Sequence, residues 1–81
     1  MDEEFKKNER LAKRVMDILL NDYSRREEYG FLYNEKENLD IIEWSIIDYE
    51  SCGFSMGPYK YHLNIIKDQY EQKLNRLRNS N

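Results

Sequence analysis

The sequence predicts a single all-α domain, an antiparallel three-helix bundle with a long, kinked or overhanging first helix. Three observations predict it. One proline and three glycines interrupt 81 residues, too few breaks for a many-turned β fold. Apolar residues recur at three- and four-residue spacing in three successive runs. The best candidate strand, Ile41-Ile42 with Ile46-Ile47, lacks period-two alternation because Glu43, Trp44 and Ser45 separate the pairs. The expected helices are 3–29, 35–52 and 58–79, within one domain spanning 1–81. At 10.0 kDa the chain has room for one core, and domains this small bury only about 60–65% of the surface their unfolded chains expose.

Helix one opens at Asp2, a capping residue, with Glu3 and Glu4 placed against the positive end of the helix. Its expected inward stripe is Phe5, Ala12, Val15, Ile18, Leu19 and Asp22/Tyr23, with Leu11 beside it. Ser24-Arg25-Arg26-Glu27 reads as a capping box that restarts the helix after a kink near Asn21–Tyr23. Gly30 is the expected stop, and Phe31-Leu32-Tyr33 an apolar connector packed onto the bundle. A helix this long extends about 40 Å, so it must kink, overhang or pack on another subunit.

Helix two starts at Asn34, with Glu37 at the third helical position. Leu39, Ile42, Ile46 and Tyr49 form its inward stripe, and Gly53 closes it. Phe54-Ser55-Met56-Gly57 is a second connector. Pro58 opens helix three at its first position, where its missing N–H costs nothing. Tyr59, Leu63, Ile66, Tyr70, Leu74 and Leu77 give the most regular stripe in the chain. Lys73, Arg76 and Arg78 suit the negative end of that helix.

A second apolar face is expected on helix two. Stepping 100° per residue from Ile41, the inward stripe falls at roughly 80–160°, while Trp44 and Ile47 fall near 300° and 240°. Exposed apolar clusters of this kind on small proteins mark interfaces. Ile41, Trp44, Ile47 and Asp48 are therefore the candidate interface residues, with a homodimer or higher oligomer as the expected partner.

Charge is unevenly spread. The formal net charge is −3 and the mean hydropathy −1.00, which argues against a basic nucleic-acid coat or a polybasic membrane tether. Residues 27–50 hold eight acids and one base, Lys36, whereas residues 1–26 hold seven bases and six acids. The simplest reading is charge balance across the bundle. The basic row Lys6, Arg10 and Lys13/Arg14 is interleaved with acids, so direct nucleic-acid binding is not expected.

The expected chemistry is binding. His62 is the sole histidine and Cys52 the sole cysteine, so neither a multi-cysteine knuckle nor a histidine pair for a metal can form. Cys52 falls near a helix C-terminus, whose negative dipole disfavours a thiolate. Gly53-Phe54-Ser55-Met56-Gly57 lacks the lysine of a phosphate-binding loop. No catalytic residue, metal or cofactor is expected. One cluster fits a phosphorylated ligand: Tyr59, Lys60 and Tyr61 at a helix start, with Arg25 and Arg26.

No run approaches the roughly 18–20 apolar residues that span a bilayer, and the acidic Met1-Asp2-Glu3-Glu4 start is unlike a signal peptide. A cytoplasmic location without membrane association is the expectation. Eight asparagines, seven each of lysine, isoleucine and tyrosine, and one alanine suggest an AT-rich genome. The reading that fits best is a non-enzymatic accessory protein of phage or mobile-element type that inhibits or sequesters a host macromolecule. The alternatives are an oligomeric sponge for a signalling nucleotide and a small structural or assembly subunit.

Overall fold

Three helices build the protein in a computed structural model that describes residues 2–28 and 35–79: α1 (Glu3–Glu28), α2 (Glu35–Ser51) and α3 (Gly57–Asn79). The boundaries follow the predicted ones within a residue wherever they are described. Gly30, Asn34 and the Phe31-Leu32-Tyr33 connector lie outside the described residues.

The helix ends are set by local chemistry. The Glu4 N–H donates to Asp2 Oδ1 at 3.0 Å, and the Lys6 N–H donates to the Asp2 carbonyl. Asp2 is thus the cap the sequence predicts. Helix α2 ends in a Schellman turn. Gly53 takes φ +89°, its N–H donates to the Glu50 carbonyl, and the Phe54 N–H donates to the Tyr49 carbonyl. The left-handed residue is a glycine because a Cβ there is strained. The Phe54 ring lies 6.1 Å from Tyr49 and 5.1 Å from Phe5, centroid to centroid, so the turn closes over the start of α1. The Ser55 N–H, donating to Glu9 Oε2, fixes the connector to α1.

Pro58 sits one place further into α3 than expected. The Met56 carbonyl accepts the Lys60 N–H, so Gly57 is the first helical residue and Pro58 the second. The proline still loses nothing, because first-turn N–H groups have no partner within the helix. Helix α1 is continuous through Asn21–Tyr23, so the Ser24–Glu27 box starts no new helix.

Helix α2 runs antiparallel to both neighbours. Phe5 meets Phe54 at one end, and the Tyr23 hydroxyl reaches Glu35 at the other. Along α3, Lys60 pairs with Glu50, Lys67 with Glu43 and Lys73 with Glu35. Tyr59 lies level with Lys13 and Asp17, so α3 is offset along α1 and the bundle is drawn out to 57 × 19 × 16 Å.

The core consists of Ala12, Met16, Leu20 and Tyr23 from α1, Leu39, Ile42 and Ile46 from α2, Met56, and Leu63 and Ile66 from α3. The inward stripes of α2 and α3 lie where periodicity puts them, except that Leu77 is exposed in the overhanging last turns of α3. The stripe of α1 requires correction. Leu11, Val15 and Ile18 are exposed, and the buried face is turned to Met16 and Leu20. Helix α1 carries two apolar stripes. The core takes the one continuous with Phe5 and Tyr23, which meet partners at the two ends of α2.

Candidate functional site

The outward surface of α2 carries the predicted interface residues. Trp44 is 62% exposed, Ile47 54% and Ile41 41%, and Asp48 is exposed beside them. Helix geometry spreads these residues over more than one flat face. Taking buried Ile42 as the origin, Glu43 and Glu50 fall at roughly 80–100° and bind the lysines of α3. Ile47, near 140°, borders the shallow groove lined by Lys60, Leu63 and Asn64. Trp44, near 200°, stands at the crest, and Ile41, near 260°, lies on the α1 side. The three form a ridge over α2 with tryptophan at its top.

The acids of α2 divide in the same way. Glu35, Glu43 and Glu50 turn toward α3 and meet Lys73, Lys67 and Lys60. This is the charge balance expected from the sequence. Glu37, Asp40 and Asp48 turn outward with Trp44; Asp40 accepts from Lys36 one turn earlier.

The tyrosine–lysine cluster diverges in three directions. The Tyr59 hydroxyl turns toward α1, within 3.2 Å of the Lys13 carbonyl and 3.1 Å of Asp17 Oδ1. Burial raises the Tyr59 pKa above its ordinary value of 10.0, and the hydrogen bond and charge of Asp17 add to the rise. Lys60 turns toward α2 to pair with Glu50, and Tyr61 projects into solvent, 71% exposed. Arg25 lies on exposed α1 surface about two turns beyond the Asp17 level; the Arg26 side chain is outside the described residues. The cleft between α1 and the start of α3, of about 460 Å³, is lined by Asp17, Leu20, Asn21, Ser24, Pro58, Tyr59 and His62. Its carboxylate disfavours a phosphate there.

Cys52 is exposed at the end of α2. Among the described residues no group of three or more His, Cys, Asp or Glu side chains is placed to hold a metal ion, and no helix is long and apolar enough to cross a membrane.

One polar site was not legible in the sequence. Glu35, one of the eight acids of residues 27–50, is 1% exposed. It accepts from the Tyr23 hydroxyl at 3.3 Å and from Lys73 Nζ at 3.4 Å, tying all three helices together at one end. Its position in the inward register with Leu39, Ile42 and Ile46 was the available signal.

No protein-family model, curated protein or solved structure matches the chain.

Proposed function

We propose that this protein acts by binding another macromolecule, through the outward ridge of α2 centred on Trp44. A tryptophan left 62% exposed and flanked by exposed Ile41 and Ile47 carries the reading. Tryptophan supplies large contact area with little conformational freedom to lose, and it is enriched among the residues that dominate binding energy. Outward Glu37 and Asp48 give the ridge the polar rim of a specific interface. In this reading the protein is an accessory inhibitor or sequestering factor. The single cysteine suits a reducing compartment, so the proposed place of action is the cytoplasm.

The test is capture from a lysate of the encoding cell or its host by immobilised wild type and by Trp44→Glu. Wild type should retain one protein in stoichiometric amount and the variant should lose it; equal retention by both overturns the reading. A nucleotide panel run by thermal melting separates it from a small-molecule role. A ligand at 100 times its dissociation constant adds about 2.7 kcal/mol, and a shift of that size would favour the sponge.

A further inference from the structure

The binding ridge on α2 has a matching surface on α1 that periodicity alone assigned to the core. Leu11, Val15 and Ile18 are 49%, 40% and 62% exposed. Measured from buried Met16, they fall at roughly 200–260° around α1. Asp17 and Lys13 mark the α3 side of α1 through Tyr59, so these three residues occupy the surface away from α3 and next to α2. On α2, Ile41 lies on the side turned from the α3 lysines and therefore toward α1. The two helices thus share one outer face, apolar along both.

The levels along this face follow from the ends of the α1–α2 pair. With Phe5 at Phe54 and Tyr23 at Glu35, Leu11 is roughly level with Ile47, Val15 with Trp44 and Ile18 with Ile41. The Ser45 hydroxyl, which lies beside Ile41, donates to the Ile41 carbonyl at 2.8 Å, so covering this rim strands no donor.

Charge differs between the two halves of the face. Lys7, Arg14 and Arg25 flank the apolar stripe of α1, and Glu37, Asp40 and Asp48 flank that of α2. Glu4 and Asp22 on α1 and Lys36 on α2 are the exceptions; Asp22 and Lys36 lie at the same level as each other, and Glu4 lies beyond the apolar row, level with the end of α2. One half is predominantly basic and apolar, the other predominantly acidic and apolar.

We propose that this face binds a second copy of the chain, with α1 of each protomer lying antiparallel along α2 of the other about a twofold axis parallel to the helices. That axis keeps every residue at its own level. It brings Leu11, Val15 and Ile18 over α2 at the levels of Ile47, Trp44 and Ile41, and brings Lys7, Arg14 and Arg25 within about a helical turn of the levels of Asp48, Asp40 and Glu37. The other face-to-face twofold stacks α1 on α1 and α2 on α2, setting base against base and acid against acid, so charge selects the first. The face extends about 25 Å along α2 and is two helices, about 20 Å, wide, which is close to the lower limit of size for a specific interface. The proposal rests on the reading of the Trp44 ridge as a binding surface and names its occupant.

Sedimentation or light scattering of the full chain from about 1 to about 500 µM, a range bracketing micromolar association, provides the test. Wild type should pass from 10.0 kDa to twice that mass. Lys7→Glu with Arg14→Glu makes both halves of the face acidic, and Glu37→Lys with Asp48→Lys makes both basic. All four positions are exposed, so each variant should keep its helical circular dichroism while self-association falls at least about tenfold. Mixed together, the two variants should form a one-to-one heterodimer, because each acidic half then meets a basic half. A wild type that is monomeric throughout overturns the proposal, as does a dimer indifferent to both reversals or a mixture that stays monomeric. A monomeric wild type that still loses a captured partner on Trp44→Glu removes self-association alone and leaves the binding ridge standing.

Discussion

Ile41 and Ile42 are adjacent and chemically identical, yet Ile42 is 1% exposed and Ile41 41%. One step of 100° separates a residue of the core cluster from one on the outer surface. The contrast extends along the whole helix. The inward side carries Leu39, Ile42 and Ile46, flanked by acids that meet the lysines of α3. The outward side carries Ile41 and Trp44, flanked by acids turned to solvent. Helix α1 repeats the arrangement with Ala12, Met16 and Leu20 inside and Leu11, Val15 and Ile18 outside. A three-helix bundle needs one stripe per helix, so the second stripes on α1 and α2 are surplus to the monomer's fold.

The sharpest way to break this comparison is to make the same substitution on both sides. Ile42→Ala should cost about 2–5 kcal/mol, a large share of the stability of so small a domain. Ile41→Ala should cost less than about 1 kcal/mol at protein concentrations low enough to exclude association. Urea unfolding followed by circular dichroism measures both, and equal losses would show that the outward residues support the monomer.

The buried Glu35 site should give the next largest effect. Lys73→Met leaves the carboxylate with only the Tyr23 hydroxyl among its described partners. It should cost about 1–3 kcal/mol, the penalty for a buried polar group that loses a partner, and more than Glu35→Gln, which removes the charge itself. The reverse order in chemical unfolding would show that the lysine contributes little to holding this end together.

Tyr59 should give a smaller effect with a pH signature. Its pKa is raised in the folded state, so the stability it contributes is complete below its unfolded pKa near 10. That contribution is lost as pH climbs through the folded value. Tyr59→Phe should cost about 1 kcal/mol at neutral pH by removing one hydrogen bond. The gap between wild type and variant in melting temperature should then narrow above about pH 10. A constant gap up to pH 11 would mean that the phenol titrates alike in folded and unfolded chains.

These contrasts also explain what periodicity could reveal. Asp2, Gly53 and the stripes of α2 and α3 were legible because each rests on a local rule: a capping oxygen, a left-handed residue or a three-four spacing. Helix α1 was misread because its two stripes are of similar length. Spacing alone does not say which of them meets a neighbour. Met56, 1% exposed, was read as connector because a residue between helices has no periodicity to mark it. The burial of Glu35 was not legible because a carboxylate is rarely buried without a partner, and that partner, Lys73, lies 38 residues away. The Tyr59, Lys60 and Tyr61 run was legible as residues but not as directions, since successive helical positions diverge by 100°.

The smallest expected effect bears on Ile18, which the sequence places in the core and the structure leaves 62% exposed. Ile18→Gln retains the bulk of the side chain and removes its apolar end. Glutamine is about as good a helix former as the residues around it, so the helix itself should be unaffected. In a dilute monomer the change should alter stability by no more than about 0.5 kcal/mol, as for surface positions generally. At high concentration the result should differ. A chain that buries Ile18 against a second copy has a melting temperature that rises with protein concentration, because assembly draws the equilibrium toward the folded state. Ile18→Gln should flatten that rise while leaving the dilute melt in place. A variant that melts far below wild type even when dilute would return Ile18 to the core and restore the stripe first read from the sequence.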